Sequence, residues 1–285
     1  MHIIAAGMPR AGSSWLYRNL SLHPHAGVSK LKEINFFSIN HDRGYGWFDS
    51  LYNDKSCFAR FDVSPFYFLD PAFHHHVKNS NLNTKIVIIL REPNYWIRSL
   101  YYQIKSFTFN MPPFSDFIKE HVIKFDNRSL VVRLCEFDFL GRVNELASAF
   151  KGNLLLVNFD LIKNNPVRLL NEIEKFTNLP PFFNQANVIR SQVNASQSGF
   201  SWLYYISTNR FLRSLSSQLP LSGLIKFIQR KLYKEGQADL IGISADKNIL
   251  DRNKYEILEN EQDIDKKFPP VFKEAFFKES DIIYL

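Results

Sequence analysis

Short apolar runs punctuate the first two thirds of the chain, and most are followed by a segment with helical spacing. HIIAAG (2–7) is continuously apolar after its histidine and ends on glycine, the pattern of a buried strand. In SSWLYRNLSLH (13–23), Trp15, Leu16, Asn19 and Leu20 recur at near-helical spacing, and His23-Pro24 stops the run. ARFDV (59–63) predicts a second strand, broken by Ser64-Pro65. KIVIIL (85–90) is apolar after its lysine and rich in β-branched side chains, as in a parallel strand covered on both faces. NYWIRSLYYQIKSF (94–107) then places apolar residues at 97, 100, 101 and 104, which predicts a helix. NLLLVNF (153–159) reads as another buried strand, and Asn165-Pro166 opens a helix striped by Leu169, Leu170, Ile173 and Phe176.

This alternation implies right-handed crossovers and an α/β fold, with ligands gathered at the carboxyl ends of the strands. Beyond about residue 195 the pattern changes to helices. FSWLYYISTNRFLRSL and LIKFIQRKLYK look amphipathic and basic, and the tail from Ala238 is charged and mixed, with Pro269-Pro270 as a break. No linker divides the chain, so one domain over 1–285 is expected, with an α/β core at 1–195 and a helical and mixed part at 196–285.

Composition narrows the class. At 45% hydrophobic residues the chain is too apolar for disorder along its length. No apolar run approaches the roughly 20 residues of a membrane span. Cys57 and Cys135 permit one bridge at most, which favours a reducing compartment. Together with the lack of a leader, this makes the cytoplasm the expected location. With 35 basic against 28 acidic residues, the net charge of +7 favours anionic ligands without choosing among nucleotide, nucleic acid, anionic glycan and membrane surface.

Gly7-Met8-Pro9-Arg10-Ala11-Gly12-Ser13-Ser14 makes that choice. It lies between a predicted strand and a predicted helix, where backbone N–H groups and a helix N-terminus cradle phosphate. The Gly7 to Gly12 spacing is that of a P-loop, which makes the sheet P-loop-like and the core nucleotide-binding. The lysine position, however, holds Ser13, and the nearest cation is Arg10. A second signal is Arg91 at the end of KIVIIL with Ser99 two helical turns into the next segment, an arginine and a hydroxyl suited to a second phosphate. A third is KLKEINFF (30–37), where Glu33 lies among cations beside an apolar pair and suits a general base toward a hydroxyl.

Together these segments resemble the sulfotransferases that use 3′-phosphoadenosine 5′-phosphosulfate (PAPS), of the Golgi glycan and tyrosylprotein type and their bacterial relatives. GMPRAGSSWLYRNLSLHP is similar to that family's 5′-phosphosulfate loop, KEINFF to its Lys-Glu-x-x-Phe-Phe block, and VSPFYF to its Ser-Pro-x-Tyr-Phe segment. ILREPNYWIRS resembles its 3′-phosphate motif, and NFDLIKNNPVRLLNEIEKFTNLP its late strand–helix unit. The resemblance implies that Arg10 lies near the oxygen bridging phosphate and sulfate. It implies that Ala11, Gly12, Ser13, Ser14 and Trp15 hold the 5′-phosphate, that Arg91 and Ser99 bind the 3′-phosphate, and that Glu33 is the catalytic carboxylate. It also implies transfer of a sulfuryl group to a hydroxyl, on a carbohydrate or glycoconjugate, without a metal. Val63 stands where some glycan-modifying relatives carry lysine, leaving Lys30 and Lys32 as the cations available to compensate. Further nucleotide contacts are expected near 190–196, where Asn194 also begins a glycosylation sequon.

The alternatives are a P-loop kinase, disfavoured by Ser13 and by the lack of a clear Walker-B aspartate, and an inactive nucleotide-binding scaffold. His74-His75-His76 reads as non-metal, since adjacent side chains diverge. The basic faces at 202–234 (Arg210, Arg213, Lys226, Arg230, Lys231, Lys234) read first as packing faces with solvated cations, with peripheral membrane docking as the alternative. Nothing beyond net charge points to nucleic acid. Acceptor specificity is expected in the loops at 38–58 and 106–135 and in the region after 195.

Overall fold

The computed structural model describes residues 1–52, 57–105, 111–120, 122–125, 130–190, 265–266 and 268–285. Among these residues the strands are, in chain order, β1 (His2–Gly7), β2 (Ala26–Val28), β3 (Ala59–Val63), β4 (Thr84–Leu90), β5 (Val122–Phe125), β6 (Leu130–Arg133), β7 (Leu154–Asn158) and β8 (Ile282–Tyr284). The helices are α1 (Ser13–Leu20), α2 (Gly44–Ser50), α3 (Phe73–Asn79), α4 (Pro93–Lys105), α5 (Phe114–Glu120), α6 (Phe139–Ala149), α7 (Asp160–Asn164), α8 (Pro166–Thr177) and α9 (Phe272–Ala275). The chain divides into two compact units. One takes in Met1–Trp96 with 138–190 and 265–285, and the described part of the other lies within Ile97–Phe137.

The first unit is built on a six-stranded sheet in the order β2-β3-β1-β4-β7-β8. Every neighbouring pair is parallel except β7 and β8. The α/β, P-loop-like architecture expected from the pattern is therefore present, with an antiparallel strand added at one edge. The central strands are buried on both faces: Ile86 to Leu90 on β4 and Leu154 to Val157 on β7 are all at most 2% exposed. That is why KIVIIL and NLLLVNF read as unbroken apolar runs.

Helix α8 follows its sequence closely. Asn165 Oδ1 accepts from Arg168 N at 3.2 Å, Pro166 takes the first position, and Asn178 ends the helix in the left-handed region at φ 57°. Burial dominates its stability. A cap contributes about 1 kcal/mol, against about 1.5–3 kcal/mol for each fully buried Leu, Ile or Phe.

Within the second unit, β5 and β6 form an antiparallel pair in the register Val122↔Arg133 to Phe125↔Leu130. Tyr101 OH donates to the Pro112 carbonyl at 3.0 Å, and its ring packs against Phe114 and Phe117. The basic amphipathic segments expected at 202–234 lie outside the described residues, as do residues 191–196 and Asn194. Cys57 and Cys135 are free thiols. Among the described residues no helix is long and apolar enough to cross a membrane.

Candidate functional site

The carboxyl ends of β1 and β4, and the turn tied to the end of β3, carry groups that the sequence singled out. At the end of β1 the chain turns through Met8–Gly12 into α1. Met8 N donates to Ile89 O on β4 at 2.8 Å, and Ala11 N to Met8 O at 3.1 Å. Two carbonyls of the loop are taken by side chains that follow β4: Trp96 Nε1 donates to Pro9 O at 2.6 Å and Arg91 Nη1 to Arg10 O at 3.0 Å. Arg10 and Gly12 occupy the left-handed region at φ 61° and 84°.

Gly12 precedes α1 with no side-chain cap, and no acidic residue stands in the first turn. The first N–H groups of a helix have no partner in its own ladder, so this end presents donors and positive potential to an anion. Ala11 is buried, while Gly12, Ser13 and Ser14 are half-buried. Gly7 is required by close packing and Gly12 chiefly by its left-handed backbone. A Cβ at Gly7 would lie 2.7 Å from Phe68 Cβ, and one at Gly12 would lie 2.2 Å from Ile162 Cδ1.

Arg10 lies within electrostatic reach of both Arg91 and Glu33. Burial lowers the Arg10 guanidinium to about 10, with Arg91 adding to the shift and Glu33 opposing it. Arg10 therefore stays charged at neutral pH. Arg91 is lowered by burial and supported by Asp160, and its guanidinium lies 4.7 Å over the Phe159 ring. Among the described residues its buried Nε has no hydrogen-bond partner. An orphaned guanidinium donor beside an uncapped helix end fits an anionic ligand.

Glu33 sits in a turn, at φ 65°, and Asn35 follows at φ 50°. Glu33 N donates to Val63 O at 3.2 Å, which ties the turn to the end of β3. Lys32 Nζ hydrogen-bonds to Glu33 Oε1, whereas Lys30 Nζ reaches Ser50 O at 3.1 Å. Lys32 is therefore the cation of this pair that stands on Glu33.

Trp15 is buried, and its indole N–H donates to Ile189 O at 2.6 Å. Asn19 Oδ1 accepts Ile189 N at 2.8 Å, so the segment ending at the exposed Arg190 is tied to α1. Ser99 falls in the second unit, half-buried on α4.

The sequence reading missed the residues that support this arrangement. Phe159 and Asp160, at the end of β7, flank Arg91, and their position just after a buried strand was the available signal. Ser64 and Tyr67 lay in the VSPFYF segment but were given no role, and Asp62, which binds both beneath the Glu33 turn, had no signal in spacing. Of the three adjacent histidines, His74 lies against His75 with ring centroids 4.0 Å apart and faces Glu145 at 3.2 Å, while His76 Nδ1 contacts Phe37 O at 3.0 Å. Among the described residues no group of three or more His, Cys, Asp or Glu is placed to hold a metal ion.

The chain matches the family model for the sulfotransferase domain over residues 1–201. It belongs to the sulfotransferase family, as the resemblance of its motifs implied. It is 26% identical over 231 residues to heparan sulfate glucosamine 3-O-sulfotransferase 5 of Homo sapiens, a match taking 73% of this chain and 61% of that protein. The Mus musculus protein of the same name is 25% identical over 233 residues, with the same coverage. The aligned part thus spans about three fifths of the length of these curated relatives. A sulfotransferase from Alicyclobacillus acidocaldarius has a similar fold, with a TM-score of 0.56 at 18% identity, covering 79% of this chain and 95% of that one. These comparisons give the kinase reading no support.

Proposed function

We propose that this protein transfers a sulfuryl group from PAPS to an acceptor hydroxyl on a carbohydrate or glycoconjugate. The observation that carries this reading is that Arg10, in the loop before the uncapped start of α1, lies within electrostatic reach of both Arg91 and Glu33. Family membership and the names of the curated relatives support the donor and the glycan class.

When bound, PAPS supplies the sulfuryl group, on a bisphosphate leaving group. The Gly12, Ser13 and Ser14 backbone would hold the 5′-phosphate, with Ala11 and Trp15 shaping the loop behind it. Arg91 would hold the 3′-phosphate. Arg10 would place its charge where negative charge grows as the bond to sulfur breaks, which is how positioned cations lower such barriers. Glu33 would orient the acceptor hydroxyl and take its proton, a contribution of about 10²–10⁴-fold.

Calorimetric titration with 3′-phosphoadenosine 5′-phosphate, with ATP as control and no metal added, tests the donor. Tight binding of the bisphosphate with weak binding of ATP is expected. Equal affinity, or preference for ATP with Mg²⁺, would overturn the reading in favour of a kinase, and binding of neither would point to a scaffold. Glu33→Gln should abolish sulfation of heparan sulfate while keeping bisphosphate affinity.

A further inference from the structure

Asp62 is 1% exposed at the carboxyl end of β3, and a carboxylate buried so completely needs donors on both oxygens. Ser64 Oγ donates to Oδ1 at 2.5 Å and Tyr67 OH to Oδ2 at 2.7 Å. Each hydroxyl has one proton, so each is left with only lone pairs for its other neighbour. Those neighbours are backbone N–H groups: Asn35 N donates to Ser64 Oγ and Phe37 N to Tyr67 OH, both at 3.0 Å. The direction of both chains is thus set by the ionised carboxylate, which can only accept.

The two amides belong to the turn that carries Glu33. Glu33 and Asn35 both hold positive φ there, which non-glycine residues keep only where the surroundings over-determine them. Asn35 Nδ2 also donates to the Glu33 carbonyl at 3.1 Å. The acceptor-only anion, two relaying hydroxyls and two amides form a brace under one catalytic candidate.

We propose that Asp62 is a positioning residue, which aims the Glu33 carboxylate by fixing its turn through the hydroxyls of Ser64 and Tyr67. This rests on the reading of Glu33 as general base. Asparagine at position 62 keeps the shape but offers one acceptor and one donor. One hydroxyl must then accept from the new side-chain amide as well as from its backbone N–H, and its own proton loses its acceptor. Tyr67→Phe removes one relay and leaves the ring in place.

The test compares Asp62→Asn, Tyr67→Phe, Glu33→Gln and the Glu33→Gln/Tyr67→Phe double variant in the full chain. Measured quantities are sulfation of heparan sulfate, bisphosphate affinity, Tm, amide exchange at Asn35 and Phe37, and the carbon-13 titration of the Glu33 carboxyl. Asp62→Asn and Tyr67→Phe should fold and bind bisphosphate within about twofold of wild type. Exchange at Phe37 should rise at least tenfold, the Glu33 titration should move, and kcat should fall at least tenfold with donor KM unchanged. Adding Tyr67→Phe to Glu33→Gln should cost nothing further.

If Glu33→Gln is inactive while Tyr67→Phe keeps wild-type kcat, the positioning role is overturned and the Glu33 reading stands. If Glu33→Gln keeps full turnover, the Glu33 reading fails and takes this proposal with it. Parallel loss of Tm and bisphosphate affinity, with kcat unchanged in the folded fraction, overturns it in favour of a purely structural brace. Should heparan sulfate not be accepted, unchanged exchange and an unmoved Glu33 titration overturn it without any turnover.

Discussion

Arg91 Nη1 donates to the backbone carbonyl of Arg10 at 3.0 Å, so the arginine at the end of β4 holds the loop at the end of β1 from the side. One guanidinium thereby couples two strand ends that are neighbours in the sheet. Its stack on Phe159 fixes the plane of the fork, leaving the buried Nε without an acceptor among the described residues.

Replacing Arg91 should therefore be costly in donor affinity. A charge-assisted contact is worth about 1.5–3 kcal/mol, which corresponds to a rise in bisphosphate Kd of roughly tenfold to a hundredfold for Arg91→Ala. Arg91→Lys keeps the charge but not the planar fork, and should recover only part of the loss. Calorimetry on the two variants measures this directly. Unchanged affinity in Arg91→Ala would remove Arg91 from the donor site.

Arg10 should behave differently. Its charge is of most use as negative charge develops on the leaving group, so Arg10→Ala should lower kcat by about 10²–10³-fold. Bisphosphate affinity should fall less than in Arg91→Ala. Steady-state kinetics on heparan sulfate, set beside the calorimetry, separates the two effects. An Arg10→Ala variant with weak binding and normal kcat would assign Arg10 to ground-state binding.

The legible parts of the chain were those where a local pattern maps onto a local structure. β1, β4 and β7 were marked by apolar runs because they are buried, β3 by a short strand-like segment broken at Ser64-Pro65, and α8 by its cap, proline and stripe. β2 and β8 span three residues each, too few for any period to register. The Gly7–Ser14 loop and Arg91 could be found because strand ends in parallel sheets collect ligands. Asp62 could not, because in ARFDV it reads as one polar residue in a strand. Only the turn folding back from residue 33 to 37 gives its carboxylate a task. Phe159 and Trp96 were hidden for the same reason, since their roles depend on partners more than sixty residues away.

Gly12→Ala tests the loop's backbone. The new Cβ would meet Ile162 Cδ1 at 2.2 Å, and the residue would remain at φ 84°. Backbone strain of this kind costs about 1–3 kcal/mol, which should lower Tm by several degrees before any loss of ligand contact is counted. Ile162→Val removes the clashing atom, so the double variant should recover the steric part and keep the backbone part. A Gly12→Ala variant with wild-type Tm would show that the loop adapts without strain.

Asp62 should give stability and activity opposite pH dependences. Burial raises its carboxyl from 3.8 to about 6; the Ser64 and Tyr67 hydrogen bonds offset part of the shift and the charge of Glu33 adds to it. Tyr52 and Tyr67, which also interact with it, are themselves pushed up by burial and stay neutral. The folded state thus binds the Asp62 proton more tightly than the unfolded state does. This group's contribution to stability is full below pH 4, declines between about 4 and 6, and is flat above. Turnover should run the other way. Below about pH 6 one Asp62 oxygen becomes a donor, a hydroxyl relay loses its acceptor, and kcat should fall. Asp62→Asn should abolish its share of the stability slope and hold kcat low and less dependent on pH across the same range. Denaturant titrations and kcat profiles from pH 4.5 to 8 on the two proteins check both halves. A wild-type kcat that stays level through pH 6 would show that an ionised Asp62 is not required.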